Sequence, residues 1–286
     1  ITVTPTFENG GIDCDGEDAT FTITVNPTAQ VNDISSQVVC NLDEVSVLFS
    51  TLNTSGTSTY SWTSDTEIGA GLSGTGDMNF TATNLSTAPV VATITVTPTF
   101  ENGDVVCDGE DKTFIITVNP TAQVDQPVSQ VVCNGEDVSV LFNTQNTSGT
   151  STYSWTSDIE IGAGLSGTGD INFTAINSST APVVATITVT PTFENGGIDC
   201  DGEDETFTIT VNPTAQVDEL TNQVVCNGDT TSIVEFATQN TGGATTYTWT
   251  NNTPSIGLSD SGTGDILAFT ATNSSTAPVV ATITVT

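Results

Sequence analysis

The chain has no histidine and no arginine, and its one basic side chain, Lys112, stands against 34 acidic residues for a formal net charge of -33. Without an imidazole, neither a Ser-His-Asp nor a Cys-His nucleophilic centre can be assembled. Without a basic patch nothing can displace counterions from phosphate, which excludes nucleic acid and anionic membrane surfaces as partners. A single lysine also excludes a lysine-dependent isopeptide staple as a general device. Long apolar runs are missing: none approaches the roughly 18 to 20 residues of a membrane span, and no signal peptide opens the chain. Helical periodicity is missing as well. Paired carboxylates suit glycoside cleavage, but here the acidic residues recur in the loops of every repeat, and no enzymatic activity is expected.

What is present is enough to fold. Hydrophobic residues make up 36% of the chain and charged residues only 12%, so cores can be buried despite the acidity. The sequence repeats: Ile-Thr-Val-Thr begins at Ile1 and returns at Ile94, Ile187 and Ile283, in steps of 93, 93 and 96 residues. The three additional residues of the last step are spread singly, as insertions in loops are. Because both ends fall in the same motif, the chain is expected to be a window on a longer array. The seam is sought inside, at the Val-Asn-Pro segments starting at Val25, Val118 and Val211, where proline ends a strand. This places modules at 27–119, 120–212 and 213–286, the last lacking its final strand, with residues 1–26 as strands F and G of a preceding module.

Alternation with a period of two runs throughout. Val45, Val47 and Phe49 face one way, as do Tyr60 with Trp62, and Ala92 with Ile94 and Val96; these read as strands B, C and F. Phe21, Ile23 and Val25 read as strand G of the preceding module, and Glu8-Asn9-Gly10-Gly11 as a hairpin turn. Short strands, frequent turn signals and a Tyr-x-Trp strand give an all-β fold: tandem immunoglobulin-like β-sandwich modules with Trp62, Trp155 and Trp249 in the cores. Gly74, Thr75, Gly76 and Asp77 have a phosphate-loop look, but no Lys or helix follows them, and they read as a tight turn.

Tyr247-Thr-Trp249, the Gly-rich run from Ile256 to Gly264, Phe269-Thr-Ala-Thr-Asn273, Ala281-Thr-Ile-Thr-Val285, and the Cys-Asp-Gly-Glu-Asp and Phe-Thr-Ile-Thr-Val-Asn-Pro stretches resemble the PKD-like, immunoglobulin-like tandem repeats of giant secreted surface adhesins and filament proteins of Bacteroidota. The resemblance covers the whole chain. It implies a secreted, bacterial cell-surface setting and a structural role, with a glycan or other surface ligand held at a tip that this sequence does not include.

Six cysteines without histidine point to disulfides and an oxidising exterior rather than to zinc. Cys14, Cys107 and Cys200 fall in F–G hairpins, and Cys40, Cys133 and Cys226 precede strand B. In one sandwich these positions lie at opposite ends, roughly 30 to 40 Å apart, far beyond disulfide reach. Stacking modules head to tail brings Cys40 to Cys200, the preferred pair; pairing within a module or between Cys14 and Cys40 stays open. The same stacking gathers Asp43 and Glu44 with Asp199, Asp201, Glu203 and Asp204, a candidate inter-module Ca²⁺ site, although no complete calcium loop is present and ordinary solvated acidic loops are the preferred reading. The sequons at Asn53, Asn84 and Asn146 read as incidental.

Two functions follow from this. The first is a structural region of an extracellular filament or adhesin stalk, its partners the neighbouring identical modules. The second is a multivalent adhesin in which each repeat holds a glycan or host ligand.

Overall fold

A computed structural model describes all 286 residues. The chain packs as two compact units: Ile1–Ala122 with Asn146–Ser151 and Thr192–Asp201, and Gln123–Gln145 with Thr152–Pro191 and Gly202–Thr286. It is all-β apart from one single-turn 3-10 helix, Pro254–Ile256.

Residues 1–26 carry β1 (Thr2–Val3), β2 (Thr6–Asn9), β3 (Ile12–Asp15) and β4 (Ala19–Thr20). The first full repeat carries β5 (Gln37–Cys40), β6 (Glu44–Val47), β7 (Thr57–Ser64), β8 (Ser73–Thr75), β9 (Met78–Thr81), β10 (Val90–Asn102), β11 (Val105–Asp108) and β12 (Lys112–Asn119). The second carries β13 (Gln130–Cys133), β14 (Asp137–Val140), β15 (Thr150–Ser157), β16 (Ser166–Thr168), β17 (Ile171–Thr174), β18 (Val183–Asn195), β19 (Ile198–Asp201) and β20 (Glu205–Asn212). The third carries β21 (Thr248–Asn251), β22 (Ser261–Thr263) and β23 (Ile283–Val285).

In the first repeat one sheet has the order β5-β12-β10-β7-β8 with β11 on β10, and a second sheet pairs β6 with β9. β5 runs parallel to β12 while the other pairs are antiparallel. That is the immunoglobulin-like arrangement, with a parallel A′–G pair at the edge of the sheet and a B–E pair facing it. The second repeat has the same order, β13-β20-β18-β15-β16, and the same β14–β17 pair. Tandem immunoglobulin-like modules are therefore the fold.

The alternation in sequence becomes the two faces of the strands. Along β10, Ala92, Ile94 and Val96 are fully buried and the intervening threonines less so. Pro98 sits inside this strand where its partner breaks between β11 and β12. Its carbonyl accepts from the Gly109 amide at 3.0 Å, and in an antiparallel strand a residue's N and O face the same neighbour, so the missing donor faces the break. Val45, Val47 and Phe49 close the core from the other sheet, with Trp62 between them.

The Trp ring has a dedicated floor. A Cβ on Gly74 would lie 2.3 Å from the Trp62 ring, and Gly167 and Gly262 meet Trp155 and Trp249 in the same way. Gly76 has φ +70°, and the Asp77 carboxylate accepts from the Phe49 amide at 2.8 Å. The Gly-Thr-Gly-Asp segment is thus a packing platform and a clasp between sheets. Asn84 is buried at 5% exposure, donating to the carbonyls of Ala88 at 2.9 Å and Val118 at 2.8 Å, so its sequon is a structural device.

One expectation is corrected. Phe21, Ile23 and Val25 form no strand. The ladder runs Val3↔Ala19 and Thr2↔Thr20 and closes with the Phe21 amide on the Ile1 carbonyl at 3.0 Å. In residues 213–286, the B–E pairing is reduced to isolated bridges, Thr230↔Thr270 and Val234↔Ile266.

Candidate functional site: a disulfide joint between successive repeats

Cys40 ends β5, where its register partner is Asn119. The chain turns sharply after it, with Leu42 at φ +74°. The turn is held because the Cys40 amide donates to the Asp43 carboxylate at 2.8 Å, and the Asp43 amide returns to the Cys40 carbonyl at 3.1 Å. The thiol-bearing residue is therefore fixed from both sides. Lys112, at the far end of β12, pairs with Asp33 at 2.6 Å on the surface, and the ammonium holds the Asp33 carboxyl below its usual range.

The other half of the joint is the β18–β19 hairpin of the next repeat. Its turn, Gly196 at φ +66° and Gly197 at φ +78°, has both central residues in the left-handed region that a two-residue hairpin loop demands. Phe193 lies opposite Cys200 and is fully buried, packed where a Cβ on Gly149 would stand 2.2 Å from its ring. Three contacts bring the halves together, all within the first compact unit. Cys40 and Cys200 are joined by a disulfide, with Cα atoms 5.5 Å apart and 160 residues between them in sequence. Asn119 donates to the Asn195 carbonyl at 3.0 Å, and Asn195 donates back to the Asn119 side-chain oxygen at 2.8 Å. Gly196 rests on Val38, 3.0 Å from where its Cβ would be to Cγ2.

Sequence reasoning named the cysteines but missed the amide pair. Asn119 is completely buried, and the same reciprocal pair recurs one step earlier between Asn26 and Asn102, at 2.9 Å each way. The signal lay in Val-Asn-Pro and Glu-Asn-Gly recurring in step. A buried amide pair of this kind fixes register, because either partner alone leaves polar atoms unsatisfied. Closing a loop of 160 residues is worth about 5 kcal/mol in loop-closure entropy.

Cys14, Cys107, Cys133 and Cys226 carry free thiols. The acidic residues considered for calcium are occupied locally in four cases. Asp43 holds the Cys40 amide, Glu44 accepts from the Thr81 hydroxyl at 2.7 Å, Asp201 from Thr192 at 2.9 Å, and Asp204 from Thr190. Asp199 and Glu203 are exposed, and no three His, Cys, Asp or Glu side chains gather closely enough to hold a metal ion. Asp65 clasps the start of the next strand: its carboxylate accepts from the Thr93 amide at 2.8 Å, which with the Thr93 side chain holds its pKa below the usual carboxylate value. Trp62, Trp155 and Trp249 are 6 to 7% exposed and present no ring face to a ligand. The surface depressions are open and shallow, such as the one lined by Val138, Ser139 and Phe173. No helix is long and apolar enough to cross a membrane.

No protein-family model and no curated protein sequence matches the chain. Among solved structures, it is similar to the three N-terminal domains of the bacteriophage RB49 highly immunogenic outer capsid protein, at 14% identity and a TM-score of 0.41, over 65% of this chain and 69% of that one. It is also similar to the eight N-terminal Ig domains of Down Syndrome Cell Adhesion Molecule, at 10% identity and a TM-score of 0.37, over all of this chain and 45% of that one. Ig domains 1–4 of Sidekick-1 match at 13% identity and a TM-score of 0.29, over 100% and 81%. The last two are tandem immunoglobulin-domain proteins.

Proposed function

We propose that this chain is a structural segment of an extracellular stalk or filament, built head to tail from immunoglobulin-like modules of the PKD-like kind found in giant surface proteins of Bacteroidota. The observation that carries the reading is the Cys40–Cys200 bridge, which ties successive repeats to each other rather than closing either one. A bond placed there resists bending and separation, which is the task of a spacer and of no use to an isolated binding domain. The buried amide pair beside it sets the angle at which one repeat follows the next. Near-identical repeats present the same joint again and again, so length is added without new design. A disulfide also fits secretion to an oxidising exterior.

Small-angle scattering of the oxidised full chain tests this. A rod-like particle that loses stiffness on reduction is expected. A compact or freely jointed particle in both states overturns the reading. The rival, a glycan-binding repeat, calls for exposed aromatic faces, and the three tryptophans are all committed to cores; a glycan-array screen with reproducible, repeat-dependent binding would restore it.

A further inference from the structure

The amide pair of the joint is built on a chemically labile dipeptide. Asn195 is followed by Gly196, and a glycine has no Cβ to shield its backbone nitrogen or to restrict its approach to the side chain before it. That nitrogen can attack the Asn195 side-chain carbonyl only if the side chain is free to swing over it. In the closed joint it is not. Asn195 ends β18 opposite Ile198, and its side-chain nitrogen donates to the Asn119 side-chain oxygen at 2.8 Å. Asn119, completely buried, donates in turn to the Asn195 carbonyl at 3.0 Å, so backbone and side chain of Asn195 are held by one clamp. The turn beyond it is pinned as well: the Gly197 amide donates to the Glu194 carboxylate at 3.0 Å, and Gly196 rests on Val38. The Cys40–Cys200 bridge, on the same hairpin, keeps these contacts together.

We infer that Asn195 is a modification site gated by the joint: while the joint is closed its side-chain amide is protected, and once the joint opens it is deamidated and the joint cannot close again. The reaction needs only water. The Gly196 nitrogen bonds to the Asn195 side-chain carbonyl carbon, the bond from that carbon to the side-chain nitrogen breaks, and ammonia leaves with the proton that the Gly196 nitrogen gives up. The product is a cyclic imide. Water then opens the ring, at the side-chain carbonyl to give aspartate or at the backbone carbonyl to give isoaspartate.

Neither product fits the clamp. An ionised carboxylate only accepts hydrogen bonds, so the oxygen that replaces the donating nitrogen faces the Asn119 side-chain oxygen, acceptor against acceptor. Turning the Asn119 amide over moves the conflict without removing it, because its oxygen then faces the Asn195 carbonyl. A buried polar group left in this way costs its full desolvation. Isoaspartate adds a further fault, a backbone lengthened by one carbon just before a two-residue turn whose register places Cys200 opposite Phe193.

Asn134-Gly135 is an internal contrast. Its side-chain oxygen accepts from the Asn177 amide at 2.7 Å, its side-chain nitrogen donates to the Thr214 hydroxyl at 3.0 Å, and the Gly135 nitrogen donates to the Ala175 carbonyl at 2.8 Å. None of these contacts involves the Cys40–Cys200 joint, so opening the joint leaves Asn134 protected. Both expectations hold whether or not the chain is a stalk.

The test holds the full-length chain at mildly alkaline pH in water enriched in heavy oxygen, once oxidised and once as Cys40→Ser/Cys200→Ser, and follows heavy-oxygen uptake at both asparagines by peptide mapping. Uptake at Asn195 is expected to be roughly tenfold faster or more in the variant, as for a reaction that proceeds through local opening, with Asn134 unchanged. Asn195→Asp reproduces one product directly, and its Cys40–Cys200 bond should be reduced several-fold faster than the native one by an uncharged phosphine, with which the added charge does not interfere. Equal uptake at Asn195 with and without the bridge overturns the inference. So does faster uptake at both asparagines alike, which would place the protection in the fold as a whole, and so does a bridge in Asn195→Asp that is as slow to reduce as the native one.

Discussion

Residues 27–119 and residues 213–286 are versions of one sequence, but they are not equally folded. The first has fourteen buried apolar residues in one core, with Ile94, Val96, Ile116 and Val118 at zero exposure. The second has three, Trp249, Leu258 and Ile266. The aromatic pair survives in both, Phe49 with Tyr60 at 5.5 Å and Phe236 with Tyr247 at 5.4 Å, and so does the glycine floor under Trp. What differs is the second half of strand F and strand G. Local contacts along B, C and E thus persist without these strands, but the core is closed only when they lie across it. The module is a box whose lid is the F–G pair.

This comparison can be broken by substitution. Trp62→Ala is expected to destabilise its module by about 3 to 5 kcal/mol through lost packing, and Trp249→Ala by clearly less, since few buried neighbours surround it. Chemical denaturation followed by the fluorescence of the remaining tryptophans resolves the two. Equal losses would show that the F–G pair does not set the depth of the core.

Asn84→Ala is next, at about 2 kcal/mol, because two buried carbonyls lose their donor. The side-chain amide of its counterpart Asn273 donates to the Ala277 carbonyl alone, at 2.9 Å, and the residue is exposed, so Asn273→Ala should cost a fraction of that in the same denaturation assay.

The Asp65 clasp gives a pH signature. Its folded pKa is depressed by the Thr93 amide and side chain, so the stability it adds is present above the ordinary carboxylate value of 3.8 and is lost as pH falls through the lower folded value. The third repeat has Asn252 at this position, accepting from the Thr282 amide at 2.8 Å. Asp65→Asn is therefore expected to remove this step from the stability–pH curve of the first module without loosening the clasp. Persistence of the step in the variant would assign it to another group.

The smallest effect is in the hairpin turns. Gly10-Gly11 and Gly196-Gly197 are matched in the first repeat by Gly103-Asp104, with Asp104 at φ +59°. Asp104→Gly should stabilise by about 1 kcal/mol or less, read as a small rise in melting temperature.

Much of this was legible from residue order. Period-two alternation located β6, β7 and β10 and named their inward residues, and the spacing of cysteines around a sandwich led to Cys40 facing Cys200. Non-local contacts were not legible. Gly74 looks like turn punctuation until the Trp62 ring lies on it, and Asn84 reads as a sequon until its amide meets Val118, 34 residues away. The Asn119–Asn195 pair spans 76 residues, and nothing in either local sequence demands the other. Phe21, Ile23 and Val25 have strand-forming sequence but no partner strand, and a ladder needs both sides.

The central claim is that successive repeats are mechanically locked by Cys40–Cys200, and single-molecule stretching of the full chain measures it directly. With the bond intact, the 160 residues between the two cysteines cannot extend, so the fully unfolded oxidised chain should be about 550 Å shorter than the reduced one, at the ~3.3–3.6 Å per residue of extended backbone. Equal contour lengths before and after reduction would contradict the lock.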